Sequence, residues 1–88
     1  LSALLVTDAE TPEDQMVKDV FWDELQTALA ELPDAQRSVF VQNELEGKTL
    51  QAIADQTGEL LKTIISRKRY AVQHLRQRLQ TLYNDLDL

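Results

Sequence analysis

Apolar residues recur along this chain every three or four positions, the repeat of a helix with one side turned to a core, and nowhere alternate as a strand requires. Val17, Phe21, Leu25, Ala28 and Leu32 step by four, four, three and four, which predicts a first helix with one buried stripe reaching to about Leu32. Its start is marked by Thr11 as N-cap, Pro12 at the first helical position, and Glu13 and Asp14 at the positive end of the helix dipole. Trp22 lies beside the stripe and is expected to pack. Pro33 stops this helix because its ring clashes with the turn before it, and Pro33-Asp34 opens a second running to about Glu46. In that second helix Ala35, Val39 and Phe40 share a side, with Val41 and Leu45 flanking, and Gly47 closes it.

The pattern then shortens. Thr49 is a good N-cap for a third helix of about two turns, in which Leu50, Ile53, Ala54 and Thr57 follow the i, i+3, i+4, i+7 rule before Gly58 ends it in the left-handed region. A fourth helix extends from about Leu61 to Tyr83, with Leu61, Ile64, Ala71, Leu75, Leu79 and Leu82 in one buried stripe. Lys68 interrupts it, and its methylene stem is expected to pack while the ammonium reaches water.

Length and composition narrow the possibilities. Eighty-eight residues support one domain with one modest core, and the chain is rich in good helix formers, with two glycines and two prolines. The absence of cysteine removes disulfides and thiolate metal sites and suits the cytoplasm. The opening Leu1 to Val6 run is too short for a membrane span and lacks the basic flank of a signal peptide, so a soluble protein with no membrane partner is expected. A start at Leu1 rather than Met suggests a segment of a longer chain.

Charge divides the chain in two. Residues 1–46 carry two bases and eleven acids, a net of −9, whereas residues 47–84 carry seven bases and two acids, a net of +5. Such a division suits a basic surface for a polyanion beside an acidic one that limits indiscriminate binding, or equally an internally paired, solvated surface. Catalysis finds little support: His74 stands alone in a basic helix, expected at the surface, and the carboxylates fall at charge-pair spacings on helix faces. Neither a metal nor a cofactor nor a small-molecule substrate is expected.

A short helix, a glycine turn and a longer basic helix form a helix-turn-helix pattern. Ala54 is small where two helices cross closely, Gly58 four residues later can take the positive φ that turns the chain, and Ile64 can plug the space between the helices. The expected architecture is all-α: a small four-helix, mostly orthogonal bundle over residues 13–84, with an acidic tail at 1–12 and a C-terminal tail at 85–88. Only the major groove of duplex DNA admits a helix and distinguishes all four base pairs, so the fourth helix is the expected reader. Lys62, Thr63, Ile65, Ser66, Arg69 and Tyr70 are candidates for base contact, with Arg69 suited to guanine and Ile65 to thymine methyl groups. Arg67, Lys68, Gln73 and Arg76 are placed for phosphate or for the domain's own acids.

The run Ala28-Leu29-Ala30-Glu31-Leu32-Pro33-Asp34-Ala35-Gln36-Arg37-Ser38-Val39-Phe40, then Glu44-Leu45-Glu46-Gly47-Lys48-Thr49-Leu50-Gln51-Ala52-Ile53-Ala54, with Gly58, Thr63-Ile64, Ser66-Arg67, Ala71 and Leu75, resembles the C-terminal domain (region 4) of bacterial extracytoplasmic-function sigma factors. The resemblance spans roughly residues 13 to 82. It implies binding to the promoter minus-35 element, contact with the flap of the RNA polymerase beta subunit, and masking by an anti-sigma factor. The chain departs from that pattern at Glu59 and Leu60, where the turn usually carries an aliphatic residue and often proline, and at Ile65, Tyr70 and Val72, which stand at commonly basic positions. These apolar substitutions leave open a rival reading in which the helix pair serves mainly protein–protein interaction. The output domain of a response regulator uses a similar helix pair, but Leu32-Pro33 and the long acidic first helix favour the sigma pattern.

Overall fold

The computed structural model describes residues 15–85. They form four helices: α1, Gln15–Ala30; α2, Asp34–Phe40, continued by a π-helical turn at Val41–Leu45; α3, Leu50–Thr57; and α4, Leu61–Asp85. Among the described residues there is no strand. The helix-start signal at Thr11 to Asp14 and the tail at 1–12 lie outside the described residues, as do residues 86–88.

The first helix stops two residues before the expected Leu32. The residue ahead of a proline is pushed out of the α region, and the chain tightens instead, with Glu31 N–H donating to the Ala28 carbonyl and Leu32 N–H to that of Leu29, each at 3.1 Å. The carbonyls left over at this helix end are met from the next helix. Arg37 Nη1 lies 3.2 Å from the Leu32 carbonyl, 3.4 Å from that of Leu29 and 3.5 Å from that of Ala30, while Nη2 pairs with Asp34. A cation at a helix C-terminus also complements the dipole, so one side chain fixes the α1–α2 corner.

The second helix differs from its expected face. Val39 and Phe40 are buried, but Ala35 and Leu45 are exposed. The α-helical part spans only seven residues, and the π turn that follows, closed by an i→i+5 bond from Glu46 N–H to the Val41 carbonyl at 3.0 Å, inserts an extra residue and turns Leu45 out of line. Asn43, in the middle of that turn, donates through Nδ2 to the Lys48 carbonyl at 2.7 Å and so holds the loop leading to α3.

Helix α4, 25 residues and about 37 Å long, packs against α1, α2 and α3. Two apolar clusters lie along it. The larger joins Leu25, Ala28, Leu29, Leu32 and Phe40 to Ala71, Val72, Leu75 and Leu79, with Phe21 and Leu82 at its rim. The smaller joins Val39, Ile53, Ala54 and Ile64, with Leu50 beside it. Three residues lie elsewhere than their spacing predicts. Val72 belongs to the core, because α1 and α2 together cover a wider arc of α4 than one neighbour would. Leu61 is exposed, since the first residue of α4 lies beyond the small cluster. Trp22 is also exposed, and meets Phe21 in a T-shaped contact with ring centroids 6.2 Å apart at 68°.

Candidate nucleic-acid interface

The turn between α3 and α4 is built from its ends inward. Thr49 caps α3 by accepting the Ala52 N–H on Oγ1 at 3.0 Å, and at the other end Gly58 adopts φ 76°, ψ 9° and donates to the Ala54 carbonyl at 2.9 Å. A Cβ added at Gly58 would meet nothing within 4 Å, so the glycine answers the backbone angle, not a lack of space. Thr57 Oγ1 donates to the Ile53 carbonyl at 2.8 Å. The Leu60 carbonyl then receives the Thr63 and Ile64 N–H groups at 3.0 and 3.2 Å to start α4. Ile64, fully buried, seats in the small cluster against Ala54, which sets how α4 leaves the turn.

With Ile64, Ala71 and Leu75 turned inward, the helical period places Lys62, Ser66, Arg69 and Gln73 on the opposite side of α4. Lys62, Arg69 and Gln73 are exposed and Ser66 is half-buried. The Arg69 guanidinium is held on two sides: Nη2 is 3.5 Å from Ser66 Oγ, and its carbon lies 6.0 Å from the centre of the Tyr70 ring. Ile65 and Tyr70 are 44% and 54% exposed, on either flank of this face. Thr63 is half-buried, and Arg76 is exposed farther along the helix.

Not every base of α4 joins that face. Arg67 Nη2 reaches back to Glu59 in the turn at 2.8 Å. Lys68, only 18% exposed at the side chain, sends its ammonium to Asn43 Oδ1 and to Glu44 at 3.4 Å, both on the π turn of α2, and not to water as the sequence suggested. Farther along, Arg78 meets Glu24 at 2.9 Å and Glu31 at 3.1 Å, and His74 Nε2 meets Glu31 at 2.8 Å. His74 is therefore a half-buried link between the α1–α2 corner and α4, not a plain surface residue. The charge division seen in the sequence is thus spent twice: part of it pairs acids of α1 and α2 with bases of α4, and the rest leaves Lys62 and Arg69 outward without a carboxylate partner among the described residues.

Sequence reasoning did not single out Glu59, Asn43 or Glu44 as the partners that remove two cations from the outward set. Arg67 follows Glu59 by eight residues, across the start of a helix, and Lys68 follows Glu44 by twenty-four, so neither pair has a local spacing signal. Among the described residues no group of three or more histidines, aspartates and glutamates is placed to hold a metal ion, and no helix is long and apolar enough to cross a membrane.

Compared with known protein families, residues 28–77, more than half of the chain, match the family described as Sigma-70, region 4. The matched segment begins at the buried Ala28 of α1 and includes α2, α3 and α4 as far as Gln77. No curated protein matches the chain.

Proposed function

The chain belongs to the sigma-70 region 4 family, the C-terminal DNA-binding domain of sigma factors, and from that premise we propose that it recognises a promoter minus-35 element as part of a sigma factor of the extracytoplasmic-function type. Helix α4 enters the major groove, where Arg69 is suited to a bidentate contact with guanine and Lys62, Thr63, Ile65, Ser66 and Tyr70 lie within the same half of the helix. Gln73, Arg76 and Lys62 serve the phosphates on either side. The partners of this reading are promoter DNA, the flap of the RNA polymerase beta subunit, and an anti-sigma factor that masks the domain, all in the cytoplasm. It assigns no catalytic step to any residue.

The observation that carries the proposal is the outward row Lys62, Ser66, Arg69 and Gln73, set opposite the seam that anchors α4 and directly after the left-handed turn at Gly58. Selection from a randomised duplex pool at two salt concentrations tests it, with wild type and Arg69→Ala compared. A sequence enriched by the wild type and lost in the variant supports base readout, while a uniform loss of affinity reduces Arg69 to a phosphate contact. Because Arg67 and Lys68 are engaged internally, the log-log salt slope is expected to be shallower than the roughly −3.6 that four neutralised phosphates give. The exposed Leu60 and Tyr70 favour a second reading, an interaction module for another protein. Absence of DNA binding even when the domain is joined to polymerase would select it.

A further inference from the structure

Leu61 and Ile65 stand one helical turn apart at the start of α4 and are 38% and 44% exposed. One more turn along the same line lies Arg69. The part of these two aliphatic side chains left in water, one of them β-branched and so a poorer helix former, adds nothing to the stability of the isolated fold. Their neighbours restrict what can cover them. Lys62 and Arg69 border the strip and have no carboxylate partner among the described residues, so a partner seated there must be anionic as well as apolar in part.

The floor of the DNA major groove fits both demands, since the phosphates flank it and the 5-methyl group of thymine is the apolar group on its base edges. An A-form RNA groove is too narrow and deep to receive the helix. We infer that Ile65, supported by Leu61, is a specificity-determining contact that reads the 5-methyl group of a thymine next to the guanine addressed by Arg69. The inference rests on the promoter-recognition reading and adds the composition of the element: a guanine with thymine beside it in the strand or its complement. Ser66 and Tyr70 stand beside the Arg69 guanidinium, at 3.5 Å from Ser66 Oγ and 6.0 Å from the Tyr70 ring centre, on the same stretch of helix as Ile65.

Deoxyuridine keeps every hydrogen-bonding group of thymidine and lacks only the methyl group, which makes it the probe. Each thymine of the duplex enriched by the 88-residue chain is replaced in turn, and affinity is measured for wild type and Ile65→Ala, an exposed change to a better helix former. At one or two positions the wild type is expected to lose about fourfold in affinity per methyl removed, and the variant to bind thymine and uracil duplexes alike. An enriched duplex whose binding ignores every uracil overturns this inference and leaves promoter recognition standing. So does a variant as sensitive to uracil as the wild type, or one that binds DNA normally and loses polymerase core. Failure to enrich any sequence overturns both.

Discussion

The two ends of α4 are held very differently. Toward its C-terminus nine buried residues from α1, the α1–α2 corner, α2 and α4 form one cluster, and Arg78, His74, Glu24 and Glu31 tie α1 and that corner to α4 across its edge. Toward its N-terminus the cluster has four buried residues, with the Arg67–Glu59 pair and the Lys68 contacts to the π turn beside it. One continuous helix is thus scaffold over half its length and, in the proposed function, reader over the other. The difference teaches why the reading half can be so lightly packed: it borrows its orientation from the scaffold half through the helix itself, and keeps its outward face for a partner.

That contrast can be broken or sharpened by substitution. The largest effect is expected from Phe40→Ala, which opens a cavity in the larger cluster and should cost about 3–5 kcal/mol, a large share of the stability of a domain of this size, read as a lowered midpoint in a denaturant titration monitored by helicity. Retention of the native transition by this variant would show that the larger cluster is not what holds α4. Ile64→Ala is expected to cost toward the lower end of about 2–5 kcal/mol, since the few neighbours of the small cluster can close around the gap. Its signature is local: amide exchange should accelerate in α3 and the first turns of α4 while Leu75 and Leu79 stay protected. Equal acceleration along α4 would dissolve the distinction between the halves. Gly58→Ala should be milder still, about 1–2 kcal/mol, purely from the left-handed angle because no atom opposes the new methyl group. Gly58→Asn is expected to recover part of that loss, and its failure to do so would point to a steric cause instead.

Much of this arrangement was legible in the sequence because it is local. The Thr49 cap, the left-handed Gly58, the inward Ile64 and the small Ala54 each follow from residue type at a fixed offset, and the structure has each of them in the expected place. Family membership was legible for the same reason, in an ordered run of such offsets. The π turn was not, because no residue in Val41–Leu45 announces an i→i+5 bond, and so Leu45 was placed on the wrong side. Charge was half legible. Counting bases on α4 found the cationic helix, but which of them face outward depends on carboxylates that approach from α1, α2 and the turn, and only the fold brings Glu44 to Lys68 or Glu31 to His74. Val72 was misread in the same way, as a surface departure, because the arc of α4 that is covered depends on how α1 and α2 sit together.

Val39 and Phe40 are joined by one peptide bond, yet each is seated in a different cluster. α2 therefore behaves as a keyed shaft: rolling it about its axis withdraws one key or the other. A single residue inserted between them would rotate everything downstream by about 100°, so the length of this segment is fixed to the residue.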